Sequence, residues 1–390
     1  MAVLSATWDV WLNERLDEWE AQGLRRELRA VRPVSPVEVT VAGRSLILFS
    51  SNDYLGLSGH PRVREAAVRC LRDSGGMGPR GSALVCGYTE EHEALEEDLA
   101  RLKGTETSLL FPTGYAANLA VLTSLADEEV TFFSDELNHA SLIDGCRLAN
   151  RSGAKTVIYP HKDTARLAEL LAQDTSRRKA IVTDTVFSMD GDLAPLEQLA
   201  QLKKEHQALL VVDDAHGTLV FGEHGQGVPG ALGVTEDIDL QVGTLSKAFG
   251  SQGGFVATSN NWKTWLLNRG RSFVFSTALP LPIVAAARES IAVTEEEGGP
   301  REALWRNVER VRGKLEIRSE SPIIPVVIGG NVETLEVSQK LWERGFHVPG
   351  IRPPTVPAGT GRLRVALSGA HTPEQVEALL EALRSAVQFG

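Results

Sequence analysis

Asp239-Leu-Gln-Val-Gly-Thr244-Leu-Ser246-Lys247-Ala-Phe-Gly250 runs from a short apolar segment into a turn of small residues that presents one lysine, with Gly253 and Gly254 just beyond. Lysine ordinarily belongs on a solvated face. A lysine on a Gly/Ser/Thr turn behind a buried strand is partly desolvated, loses proton affinity and becomes an amine nucleophile suited to Schiff-base chemistry. Thr244 and Ser246 place hydroxyls beside it that suit a phosphate. The stretch alone leaves both readings open.

Working outward, residues from about 75 to 280 repeat a pattern of apolar strand, loop and helix. Strands are predicted at Ser108–Phe111, Val130–Phe133, Thr156–Tyr159, Ala180–Thr183, Leu209–Val212, Leu240–Gly243 and Gly254–Thr258. Most are continuous apolar runs, as expected of a mainly parallel sheet covered by helices on both faces. Helices are predicted near 90–103, 115–126, 163–173 and 195–206. Before this region, Trp8, Trp11, Leu12, Leu16, Trp19 and Leu24 recur at helical spacing. They predict an amphipathic arm over about 7–30, ended by Pro33. A hairpin over Val37–Val41 and Leu46–Phe49 follows, and Pro61 opens a helix. After Pro280 and Pro282 come helices near 282–296 and 300–314, strands at Ile323–Ile328 and Arg362–Leu367, and a last helix. That helix opens on the capping box Thr372-Pro373-Glu374-Gln375. The expected organisation is an N-terminal arm and hairpin (1–50), a large α/β domain (51–280) and a smaller α+β domain (281–390).

The chain has 390 residues, enough for a large core and two domains. Its formal charge of −11 argues against nucleic acid or an anionic membrane as the main partner. No apolar run approaches the roughly 20 residues of a membrane span, and the first residues lack the apolar core of a signal peptide. Cys70, Cys86 and Cys146 are odd in number and widely spaced. They suggest neither disulfides nor zinc ligation, so a reducing cytoplasm is the default. No metal-binding spacing is found among the histidines.

Several motifs carry alternatives. Leu209-Leu-Val-Val-Asp213-Asp214-Ala-His216-Gly217 resembles a Walker B strand, but the chain has no GxxxxGK[ST] loop to accompany it. The acids could simply cap a helix. Alternatively Asp213, at the carboxyl end of a strand, faces the crevice where open α/β sheets bind ligands. There it can hold a cation such as a protonated pyridine nitrogen, with His216 against the same ring. Gly76-Met-Gly78-Pro-Arg-Gly81 fits GxGxxG by letter, yet it follows a predicted helix and contains Pro79. It reads as a loop at the mouth of a site rather than a dinucleotide fingerprint. Phe111-Pro-Thr113-Gly114-Tyr115 is a strand, a glycine and a helix start, which suits a phosphate. Asn138-His139-Ala-Ser141 offers either a structural histidine or one stacking on a flat ring. Val186-Phe-Ser188-Met-Asp-Gly-Asp192 reads alone as a solvated turn. Gly114-Tyr115, His139, Ser188, Asp213–His216 and Thr244–Lys247 all fall just past the carboxyl end of a predicted strand. A lysine amine, an acid for a ring nitrogen, a stacking imidazole and phosphate donors on one edge match the needs of pyridoxal 5′-phosphate (PLP).

The order and wording of these motifs, with Ser51-Asn-Asp-Tyr-Leu-Gly-Leu, Val186-Phe-Ser-Met-Asp-Gly-Asp, Val212-Asp-Asp-Ala-His-Gly and Gly243-Thr-Leu-Ser-Lys, resemble the α-oxoamine synthases from about Leu24 onward. The resemblance implies a PLP-dependent transferase of fold type I, with a mainly parallel seven-stranded sheet and a smaller α+β domain. It implies Lys247 as the Schiff-base lysine and proton carrier, Asp213 on the pyridine nitrogen, His216 by the ring oxygen and His139 stacked on the ring. Gly114, Tyr115 and Thr244 hold the phosphate, and Ser188 touches the cofactor. Ser276 and Thr277 reach the phosphate of a second subunit, implying a homodimer. Arg25, Thr355 and Arg364 match substrate positions, and Arg352 is a further carboxylate candidate. The tail Ile351-Arg-Pro-Pro-Thr-Val-Pro357, followed by Arg362-Leu-Arg364, is most similar to the branch that condenses L-alanine with pimeloyl-CoA or pimeloyl-acyl-carrier protein. Sister branches use glycine or other acyl groups. Tyr115 stands where phenylalanine is frequent, and the Gly76–Gly81 loop departs from the usual Gly/Ser-rich run. A non-catalytic partner subunit would lack Lys247, and the tail argues against a plain aminotransferase.

Overall fold

A computed structural model describes residues 6–74, 76–315 and 319–387. These fall into two compact units. The larger comprises Asn52–Arg306 with Ser368–Ala370; the smaller draws on Met1–Ser51, Asn307–Leu367 and His371–Gly390.

The larger unit is built on seven strands: β1 (Thr107–Phe111), β2 (Val130–Asp135), β3 (Lys155–Tyr159), β4 (Arg178–Asp184), β5 (Leu209–Asp213), β6 (Leu240–Thr244) and β7 (Gly254–Thr258). They lie in the order β1-β7-β6-β5-β4-β2-β3. Only β7 is antiparallel to its neighbours, so the other six end on one edge. Strands β2, β6 and β7 are buried along their whole length, which explains why their sequences do not alternate. Helix α1 (Glu90–Lys103) precedes β1, α2 (Gly114–Leu125) follows it, and α3 (Ala140–Asn150) follows β2. All seven strands and the four helices predicted between 90 and 206 agree with expectation to within a few residues.

Helix α3 was not foreseen, because Gly145 interrupts a short, mixed sequence. Its reason is contact with α2: a Cβ at Gly145 would lie 2.6 Å from Leu122 Cδ1. Phe132, Val182, Val211, Val242 and Val256 form the core with Ala117, Val121 and Leu142 of these helices. The helix Pro61–Asp73 is joined to Leu281–Glu297 by Arg62, which reaches Glu289 at 2.7 Å. Gly76–Gly81 follows a helix and opens none of its own, so it has no dinucleotide-binding context.

In the smaller unit the predicted arm is corrected. The helix stops at Ala21, and Gly23 takes φ +63°. Pro33 lies in a strand, Arg32–Ser35, that pairs with Glu38–Val41. The stripe of Trp8, Trp11 and Trp19 is half or more exposed, at 62, 51 and 52%. Its helical spacing was real but packs against no core. Arg44–Leu48 completes the expected hairpin, and Phe346–His347 joins it in parallel. A second sheet pairs Gly361–Ala366 with Ile323–Gly329 and Gly350–Ile351. The helix Pro373–Ala386 begins with both hydrogen bonds of the Thr372/Gln375 capping box. Among the described residues no helix is long and apolar enough to cross a membrane.

Candidate active site

The carboxyl edge of the parallel strands carries most of the predicted residues of the larger unit, Ser276 and Thr277 excepted. Strand β1 leads to Thr113, whose Oγ1 accepts from Ala116 N at 3.0 Å and starts α2 at Gly114. A Cβ on Gly114 would lie 3.2 Å from Thr244 Cβ, so the start of α2 abuts the end of β6. Thr244 Oγ1 donates to Gly253 O at 2.9 Å and accepts from Ser246 N at 3.2 Å. These bonds shape the turn that carries the half-buried Lys247. The first N–H groups of a helix lack intrahelical partners and carry partial positive charge. Here they open beside a threonine.

Asp213 is buried at the end of β5. Its Oδ2 accepts from Asn118 Nδ2 at 2.6 Å and its Oδ1 from Ala215 N at 2.9 Å. Asn118 Nδ2 also donates to Ser141 Oγ at 2.8 Å, and Ser141 Oγ lies 2.7 Å from His139 Nδ1. A continuous polar chain therefore ties Asp213 to His139 through α2 and α3. Asn118 Oδ1 is buried without a partner. His139 caps α3, and its backbone N donates to Asp184 Oδ2 at 2.6 Å. His216 Nδ1 sits 2.6 Å from the hydroxyl of the fully buried Tyr54. Ser188 lies in a loop closed by the Val186–Leu193 bridge.

Electrostatics join these parts. Desolvation lowers the pKa of His139; the Asp213 carboxylate opposes that effect and the Lys247 ammonium reinforces it. Burial and the charge of Asp213 push Asp184 well above the carboxylate range, while the His139 N–H and Lys247 pull it back. Lys247 and Asp213 thus act on the same two groups from opposite directions. Tyr115 is partly exposed, and its hydroxyl donates to Asp144.

The remaining predicted residues lie elsewhere. Thr277 bridges Ser82, and Ser276 and Thr277 border a small cavity with Phe111 and Pro112. Arg25, Arg352, Thr355 and Arg364 belong to the smaller unit. There Arg352 Nη2 donates to Arg25 O at 3.3 Å, and its Nε is buried without a partner. Desolvation and Arg26 lower its pKa. Arg25, Arg26, Arg29 and Arg352 line a cavity of about 640 Å³ with Trp342. Arg364 is buried in its strand and Thr355 is exposed. Among the described residues no group of three or more His, Cys, Asp or Glu could hold a metal ion.

Sequence reading missed Asn118, Asp184 and Tyr54. Asn118 had a usable signal: it stands four residues after Gly114, on the same face of a helix that starts at the site.

Comparison with known proteins agrees with this geometry. Aminotransferase class I and II matches residues 44–383. The 8-amino-7-oxononanoate synthase of Arabidopsis thaliana is 48% identical over 361 residues, 89% of this chain and 76% of the plant protein. The chain belongs to the aminotransferase class I and II family, on its 8-amino-7-oxononanoate synthase branch. The serine palmitoyltransferase of Sphingomonas wittichii superposes with a TM-score of 0.91 at 34% identity, covering 99% of this chain and 98% of that one. A serine palmitoyltransferase from S. paucimobilis with a bound PLP–myriocin aldimine gives 0.90 at 30% identity, covering 98% of each chain. The larger unit has the mainly parallel sheet of fold type I PLP enzymes.

Proposed function

We propose that this chain is a PLP-dependent 8-amino-7-oxononanoate synthase. It joins L-alanine to a pimeloyl thioester and releases 8-amino-7-oxononanoate, CO2 and free thiol, an early step of biotin biosynthesis. What carries the reading is the geometry of one sheet edge: the start of α2 at Gly114 abuts Thr244 at the end of β6, and Asp213 at the end of β5 is tied through Asn118 and Ser141 to His139. The residues fit the cofactor: an oriented carboxylate for the ring nitrogen, a flat imidazole, an amine, and a helix N-terminus at Gly114 against the Thr244 side chain for the phosphate.

When bound, PLP supplies an electron sink for the pair released at the substrate Cα. Asp213 keeps the ring nitrogen protonated, and Asn118 fixes its orientation. Lys247 would supply the amine for the cofactor's aldehyde and would hold the proton exchanged at the substrate Cα. His139 covers the ring in the neutral form that its lowered pKa favours. Tyr54 steers His216 toward the ring oxygen. Ser188 contributes a hydroxyl. The N–H groups at Gly114 and Tyr115 and the Thr244 hydroxyl would hold the phosphate, with Ser276 and Thr277 of a second copy beside it in a homodimer. Arg364 and Arg352 take carboxylates through paired hydrogen bonds, while Arg25 and Thr355 meet the acyl donor. The free cysteines Cys70, Cys86 and Cys146 suit the cytoplasm.

The likeness to serine palmitoyltransferases favours a sister reaction as the second reading. Purified protein with PLP should convert alanine and pimeloyl thioester, with CoA and carrier-protein forms tried separately. Turnover faster with glycine or serine would move the chain to a sister activity. The absence of a visible cofactor band that responds to alanine would remove the PLP reading altogether.

A further inference from the structure

The doublet Asp213-Asp214 places two acids at the end of β5, the last residue of the strand and the one after it, and their carboxylates have different partners. Asp214 is fully buried and occupied on every side. Its Oδ1 accepts from Thr185 Oγ1 at 2.6 Å and from Val228 N at 3.2 Å. Its Oδ2 accepts from Lys103 Nζ at 2.7 Å and from Thr218 Oγ1 at 3.0 Å. Lys103 is the last residue of α1, a position where a cation usually stays solvated beside the helix carbonyls. Its side chain is instead completely buried, with Gln226 O at 2.7 Å and Thr218 Oγ1 at 3.4 Å as further acceptors. The wall is tight: a Cβ on Gly217 or Gly227 would land on the Asp214 carboxylate.

Asp214 N donates to Val242 O in β6 at 2.7 Å, and Thr185 N donates to Asp213 O at 2.9 Å. The pair therefore grips the strand ends that carry Asp213 and lead to Lys247, and the turn after His216. A buried ion pair is a poor choice for stability alone, because apolar residues of similar volume often serve as well. A role in setting local charge accounts for it.

We propose that Lys103 is a positioning residue that neutralises and anchors Asp214, so that the acid doublet presents a single negative charge, at Asp213, to the cofactor. This rests on the PLP reading above. Without Lys103, Asp214 is a buried acid beside Asp213 with no counter-charge; without Asp214, Lys103 is a buried ammonium with none.

The test uses holoenzyme and follows the pH midpoint of the cofactor's visible band, together with PLP affinity and Tm. Lys103→Met should move the midpoint up and Asp214→Asn should move it down, each by roughly one pH unit. Lys103→Met/Asp214→Asn should return it to within a few tenths of wild type while Tm stays lowered, and Lys103→Arg should keep the wild-type midpoint. A purely structural pair would shift Tm in all variants and leave the midpoint unmoved, or move it in one direction throughout; either result overturns the proposal. If one single variant fails to fold, the other and the double variant still decide the sign. Should wild type itself show no visible band, the PLP reading fails; a normal wild-type band with unmoved variants sinks the Lys103 role alone.

Discussion

Asp213 and Arg352 hold their charges in contrasting ways. Asp213 is buried, with donors at 2.6 and 2.9 Å that fix both oxygens before any ligand arrives. The Arg352 guanidinium makes one hydrogen bond among the described residues, at 3.3 Å, and keeps a buried Nε without a partner. The first arrangement suits chemistry that needs a charge at one point throughout a cycle, because a preorganised group need not reorganise when charge develops. The second leaves donors unused, as a site that takes up and releases a carboxylate requires. The larger unit thus carries a rigid charge pattern, and the smaller carries cations with capacity to spare.

Variants can break this contrast, and the largest effect belongs on the rigid side. Lys247→Ala should lower steady-state turnover of alanine and pimeloyl thioester by on the order of a thousandfold or more, since it removes both nucleophile and proton carrier. Retention of a tenth of wild-type activity would remove Lys247 from the chemistry. On the open side, Arg352→Met should raise KM for an anionic substrate by roughly thirty- to a hundredfold, the scale of a lost charge-assisted pair. Its Tm should hardly change, because little in the free protein depends on that guanidinium. A large fall in Tm with an unchanged KM would mean that the smaller unit is as preorganised as the larger one.

The same contrast explains what the sequence could reveal. The seven strands were legible because helices bury them on both faces, leaving unbroken apolar runs with little ambiguity of period. The positions of Gly114, His139, Ser188, Asp213 and Lys247 at or just past strand ends were legible because strand ends in a parallel sheet share one edge, so order along the chain predicts proximity. Helix α3 was obscured by Gly145, whose missing side chain lets Leu122 approach and is invisible to periodicity. The N-terminal arm misled in the opposite way, because its tryptophans repeat at helical spacing although nothing in the described chain buries them. Asp184 and Lys103 could not be recognised as buried. Ordinary surface acids and lysines look the same in sequence, and only pairing across 111 positions distinguishes Lys103.

Asn118 offers a finer test of rigidity. Asn118→Leu keeps the volume of the side chain but removes the donor that links Asp213 to Ser141 and His139. The loss of one donor to a buried carboxylate is worth about 1–3 kcal/mol. PLP affinity and turnover should therefore fall roughly five- to a hundredfold, and the midpoint of the cofactor band should shift. If both stay within twofold of wild type, Ala215 N alone orients Asp213 and the polar chain through α2 is dispensable.

The smallest effect on turnover at pH 7, and the most specific in pH, is expected at His161, which steadies the loop bearing Ser188. Burial works to lower its pKa, but Asp135 and Asp192, each 3.0 Å from a ring nitrogen, outweigh burial and hold it up at about 9. Lys162 shares Asp192 at 3.0 Å, Glu136 accepts from the His161 backbone, and Phe187 meets the ring edge-on at 4.3 Å between centroids. Because the folded pKa lies above the unfolded value, the protonated ring stabilises the fold fully below about pH 6.5. That contribution fades as pH rises through about 9. Solvent screening of this partly exposed cluster keeps the contribution well below the roughly 3.4 kcal/mol that the full shift would give. His161→Asn should accordingly lower Tm most at pH 6, less at pH 8, and scarcely at pH 10, where the wild-type ring is already neutral. A gap in Tm that stays constant across this range would show that His161 acts through packing on Phe187 rather than through its charge. The Ser188 loop would then be held as Arg352 is not and Asp213 is, by geometry that no proton controls.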